Sequence, residues 1–188
     1  MLTKWIINLT VFFILKSHLS ALAPIMQVKF AHMWFDVHSK YNAKEKQDFI
    51  LGSLIHEICF LENISFIEPE SFSLKEVWDS DSPFEAGKKF NLYIKNLRQR
   101  HLSRNMIAEL IQGVSLEHKD FFIKLLEDEI VYDPELCIKA SSYLSAISEG
   151  EIISGVKVDR LAIWHGVLYK YLNQRPSEAL EVFKKYRW

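Results

Sequence analysis

The 188-residue chain carries 23 basic and 24 acidic residues, and a formal charge of −1 with the two signs interspersed gives no reason to expect nucleic-acid binding. Its length and 49% hydrophobic content suit one domain with a sizeable core, and two cysteines are too few for a disulfide-built scaffold. Few glycines and prolines, long amphipathic runs and no internal repeat point to an all-α, single-domain antiparallel helical bundle.

Residues 1–25 differ in character from the rest of the chain. Lys4 precedes an apolar run over 5–15, and Lys16, Ser17 and His18 lead to Ala21, Leu22 and Ala23, an A-x-A pattern. The expected organisation is a signal-peptide-like leader over 1–25 and a helical domain over 26–188; the apolar run is too short for a membrane span, and none is expected in the mature domain. Export is the expected localisation. Pro24 opposes cleavage beside it, and Met26 offers an alternative start that leaves the leader untranslated and the protein cytoplasmic.

Periodicity then predicts helices over 28–40 and 44–60, with a turn near Tyr41 and Asn42. A loop over 62–71 contains Pro69, and Ser73 with Glu76 forms a capping box for a short helix. Ser82, Pro83 and Glu85 open a helix to 101. Helices over 105–112 and 116–132 follow, the second capped by Ser115. Asp133 and Pro134 open a helix to about 148, another covers 158–172, and Pro176 opens the last, ending near 186. Joins this short imply antiparallel neighbours. Cys59 and Cys137 lie in apolar helical settings and read as buried thiols, with one disulfide as the alternative.

Within the helix from Pro83, Phe84, Gly87, Phe90, Ile94 and Leu97 recur at helical spacing, which puts Asn91 and Lys95 one turn apart beside the apolar face. Read alone, this is a helix with a tolerated asparagine and a lysine whose ammonium reaches water. His56 and Glu57 are neighbours and point about 100° apart on a helix, so one of them faces any given site. His32 and Asp36 are one turn apart, a spacing that suits a metal and equally suits an ordinary helical histidine.

Two stretches, FILGSLIHEICFL over 49–61 and SPFEAGKKFNLYIK over 82–95, resemble a bacterial branch of the zinc-dependent phospholipase C and single-strand nuclease superfamily. There the first segment reads roughly Gly-Ser-Leu-Phe-Pro-Asp-Ile-Arg-Tyr, followed by a Thr-His pair, then Pro-Phe-x-Ala-Gly and a His-x-x-Val-Asp-Glu helix. Gly52, Ser53, Leu54, Ile58, Pro83, Phe84, Ala86 and Gly87 match. His56 and Glu57 replace the Pro-Asp pair, Cys59 and Phe60 the Arg-Tyr, Asn91 the helix histidine, Lys95 the aspartate and Asn96 the glutamate. The Thr-His pair is missing, with Glu70 the nearest substitute. Residues 30–32, 124–132 and Trp164, His165, Tyr169 and Tyr171 are similar to other family segments, so the likeness runs thinly over 30–176.

The resemblance implies a helical fold and a zinc site for phosphodiester hydrolysis, and the departures imply that this site is vestigial. Catalytic zinc needs several His and carboxylate donors at about 2.0–2.2 Å with one position open for water. Asn91 and Lys95 remove two donors, and a protonated amine repels the ion; Lys95 paired with Glu57 would fill the place of the metal. The expected function is that of a non-catalytic pseudoenzyme or binding protein with no cofactor. The alternatives are a divergent metal-dependent phosphodiester hydrolase and an unrelated helical interaction domain. In the hydrolase reading, zinc ligands come from His32, Asp36, Glu57, Glu70, Asp128 and His165, with Glu57 or His56 as catalytic candidates and a phospholipid or other phosphodiester as ligand. Asp128 and His165 also read as structural hydrogen-bonding positions.

Overall fold

The computed structural model describes residues 22–38, 40–61, 72–102 and 119–178. Their regular structure is helical: α1 Pro24–Val37, α2 Ala43–Leu61, α3 Leu74–Trp78, α4 Pro83–Leu102, α5 Lys119–Val131, α6 Pro134–Ser142, a 3₁₀ turn Tyr143–Ser145, α7 Glu149–Ile153 and α8 Val158–Leu172, with another helical turn opening at Pro176. The chain is thus an all-α, single-domain bundle. Residues 1–21 of the expected leader over 1–25, the loop over 62–71, the helix over 105–112, the Ser115 cap and the end of the last helix near 186 lie outside the described residues. Among the described residues, no helix is long and apolar enough to cross a membrane.

Among the described residues, the pair α2 and α4 forms the most extensive helix contact, and its sequence explains why. A Cβ on Gly52 would collide with the carbonyl of Phe84, and one on Gly87 would collide with the carbonyl of Phe49. Only glycine permits backbones this close. The rings beside the crossing close the core: Phe49 is fully buried, with the centroids of Phe35, Phe90 and Tyr41 at 5.1, 5.4 and 5.6 Å. Trp34 lies 5.3 Å from Phe90 and 6.4 Å from Trp78, which joins α1 and α3 to the same cluster. Such pairs add about 0.5–1.5 kcal/mol each beyond their buried area. Lys40 fastens the α1–α2 turn to α3, its ammonium donating to the Trp78 carbonyl at 3.0 Å and lying 3.6 Å from the centroid of that ring.

Several caps fall where the sequence puts them. Ser73 and Glu76 make a reciprocal box, Ser82 Oγ accepts from the Glu85 amide at 3.2 Å, and Asp133 accepts from the Leu136 amide at 3.2 Å. Two boundaries differ. The helix expected over 134–148 stops at Ser142, turns through 143–145, and restarts because Ser148 and Glu151 form a second capping box that opens α7. The first helix begins at Pro24 and ends at Val37, ahead of the expected 28–40. Ala23 offers no side-chain cap there, and Asp128 of α5 supplies one, accepting from the Met26 amide at 2.8 Å.

Candidate functional site

Asn91 is 5% exposed on the α4 face that meets α2. Its Nδ2 donates to the Ser53 carbonyl at 2.7 Å, while the Ser53 hydroxyl donates within its own helix to Ile50 at 2.8 Å. The carboxamide therefore ties α4 to the α2 backbone beside the Gly52–Gly87 crossing. Asn91 Oδ1 is buried without a hydrogen-bond partner, so the side chain is held by its amide alone. Glu57, one turn beyond Ser53, is 4% exposed, whereas His56 is half-buried; of this pair, the carboxylate turns inward. Lys95 is half-buried one turn beyond Asn91, and Glu57 and Lys95 each have an interaction partner.

The other candidates occupy different surroundings. His32 is half-buried on α1, edge-on to Phe35 at 5.8 Å, with Nε2 buried and unpartnered. Burial lowers its pKa, as do Lys139, Lys46 and Lys29, against an opposing effect from Asp36. Asp36 itself is exposed. Asp128 is fully buried; Oδ1 takes the Met26 amide and Oδ2 takes the Tyr171 hydroxyl at 2.6 Å. Burial raises its pKa to about 7, outweighing the hydrogen bonds from Tyr171, Met26 and Ile25 that favour the anion. His165 is buried with both ring nitrogens taken, Nδ1 by the Leu144 carbonyl at 3.0 Å and Nε2 by Glu151 Oε1 at 2.6 Å. Glu70 lies outside the described residues.

A zinc ion needs free lone pairs that converge, and this donor set does not fit that need. His165 has no ring nitrogen to spare, both oxygens of Asp128 are occupied, and three lysines act on His32. Among the described residues, no three His, Cys, Asp or Glu side chains form a group that could hold a metal. The described residues thus do not bring His32, Asp36, Glu57, Asp128 and His165 into one donor group: Asp128 and His165 use their polar atoms in separate contacts, and Asp36 is exposed. Cys59 and Cys137 are both buried free thiols.

Three functional-looking groups were not anticipated. Arg98 Nε meets Glu127 at 2.7 Å across α4 and α5, and both side chains are largely buried. Glu151 receives the Ser148 amide on Oε2 as well as His165 on Oε1, so one carboxylate caps α7 and fixes the imidazole of α8. Tyr171 joins α8 to Asp128. Only the second left a readable signal, the Ser-x-x-Glu spacing of 148 and 151. No protein-family model matches the chain, and neither a curated protein nor a solved structure matches it significantly.

Proposed function

We propose that this chain is a non-catalytic helical binding protein, descended from a zinc-dependent phospholipase C-like ancestor, in which Asn91 and Lys95 stand where metal ligands stood. The observation that carries the reading is the 2.7 Å hydrogen bond from Asn91 Nδ2 to the Ser53 carbonyl. At the position that the resemblance gives to a ligand histidine, the side chain donates to a neighbouring backbone and braces two helices. A group used that way has turned from ligation to packing. Glu57 is buried at the position corresponding to the ancestral aspartate, and half-buried Lys95 follows Asn91 by one turn, a charge arrangement that disfavours an incoming cation.

Metal analysis of untagged protein, together with hydrolysis of a chromogenic phosphodiester, tests this reading. The expected result is substoichiometric zinc and no turnover above buffer. Stoichiometric zinc with turnover abolished by a chelator would instead establish the metal-dependent hydrolase.

A further inference from the structure

α8 buries one face, with Leu161 and Leu168 enclosed, and exposes the opposite one. Asp159, Ile163, Gly166 and Lys170 are all exposed along that outer face, and at 100° per residue they fall within a sector of about 60°. Ile163 is 53% exposed, and a Cβ built on Gly166 would meet nothing within 4 Å, so a branched apolar side chain stands beside an open slot on the helix surface. Tyr169 and Val158 add exposed apolar surface on one flank. Neither Asp159 nor Lys170 has an opposite charge three or four positions away on α8, where a helical ion pair would form. We propose that this face is a homodimer interface, in which α8 packs antiparallel on α8 of a second copy about a two-fold axis midway between Trp164 and His165.

The occupant is a second copy because the face is complementary to itself. The four positions are spaced by four, three and four residues, an order that reads the same from either end. Reversing one helix against the other therefore sets Ile163 of each protomer into the slot over the partner's Gly166 and brings Asp159 onto the partner's Lys170, at both ends of the contact. A parallel pairing would set Asp159 against Asp159 and Lys170 against Lys170. The antiparallel arrangement also opposes the two helix dipoles. Within the fold, Gly52 and Gly87 already let two helices meet backbone to backbone, and Gly166 offers the same close approach on the outside. A single helix pair covers less than the roughly 1,200–2,000 Å² of a standard stable interface, so the dimer is weak and reversible.

Sedimentation velocity of the full chain, from micromolar to near-millimolar concentration at low salt, tests the interface. The parent should pass reversibly from monomer to dimer. Two-fold symmetry applies every substitution twice: Asp159→Lys turns both ion pairs into lysine–lysine contacts and Lys170→Asp turns both into carboxylate–carboxylate contacts, so either should weaken dimerisation at least about tenfold. Asp159→Lys/Lys170→Asp exchanges the charges and rebuilds both pairs, and dimerisation should return to within about threefold of the parent's. Gly166→Gln fills the slot with a better helix former, so it should weaken dimerisation at least about tenfold while circular dichroism shows the helix intact. The four positions are exposed, and circular dichroism confirms each variant folded. A parent that stays monomeric at every concentration would overturn the proposal, as would single variants that dimerise like the parent, or a folded double variant as weak as the single ones.

Discussion

Gly52 and Gly87 occupy reciprocal positions, each placed against a main-chain carbonyl of the other's helix, Phe84 for the first and Phe49 for the second. The same crossing brings the Asn91 amide onto the Ser53 carbonyl, so the candidate site depends on two missing methyl groups. Phe84 has a further role, because its ring fills the space a Cβ on Gly150 of α7 would need.

Alanine at either crossing glycine should separate α2 from α4. Gly52→Ala and Gly87→Ala should each cost about 3 kcal/mol, at the upper end of overpacking effects, whereas Gly166→Ala on open α8 surface should stabilise by about 0.5–1 kcal/mol. Chemical denaturation measures all three. Parent-like stability in both crossing variants would show that the helices are not in backbone contact.

Asn91→Asp removes the donor and sets a carboxylate against the Ser53 carbonyl in a buried position. We expect a loss of about 3 kcal/mol at pH 7 that diminishes as the pH approaches 4, where the acid can again donate. A flat pH dependence of this loss would mean that Asn91 is more hydrated than its burial indicates.

His32 makes the fold sensitive to acid. Its pKa is lowered first by burial and then by Lys139, so its contribution to stability is present above the unfolded value of 6.5 and is lost as pH falls below it. His32→Leu should therefore gain stability relative to the parent on going from pH 8 to pH 5. A parallel pair of pH–stability curves would contradict this.

Glu151→Ala should be among the costlier single substitutions outside the aromatic core. It removes the cap of α7 and the partner of buried His165 together, a loss of about 3–5 kcal/mol. Thermal melts should fall by roughly 6–20 °C on the scale of about 2–4 °C per kcal/mol. A shift below about 2 °C would mean that the pair contributes little.

The legible parts of the fold are those set by neighbours in sequence. The helix over 158–172 has the expected bounds, and Ser73, Ser82 and Asp133 cap as their spacing indicates. The start of α1 was hidden because its cap, Asp128, comes from another helix, and because Ala23 and Pro24 carry the pattern of a cleavage site. The break after Ser142 was readable in Ser148 and Glu151, but the apolar periodicity of 134–148 obscured it. Periodicity places Asn91 beside the core, and helix geometry separates His56 from Glu57 without saying which is buried; the structure buries Glu57 and leaves His56 half-buried. Neither could show that a backbone carbonyl of α2 would receive the Asn91 amide, or that Leu144 and Glu151 would occupy both nitrogens of His165, since those partners are fixed by tertiary contact.

The most direct test of the proposed vestigial metal site is to introduce the two donors that the resemblance implies and titrate with zinc. In Asn91→His/Lys95→Asp, one nitrogen of the introduced imidazole can still donate to the Ser53 carbonyl while the other faces the site, and the new carboxylate one turn on joins Glu57 without the repelling ammonium. Calorimetry on the parent and the double variant, each confirmed folded by circular dichroism, should give no zinc binding for the first and one ion per chain for the second. Tight binding by the parent, or none by the folded double variant, would contradict the account.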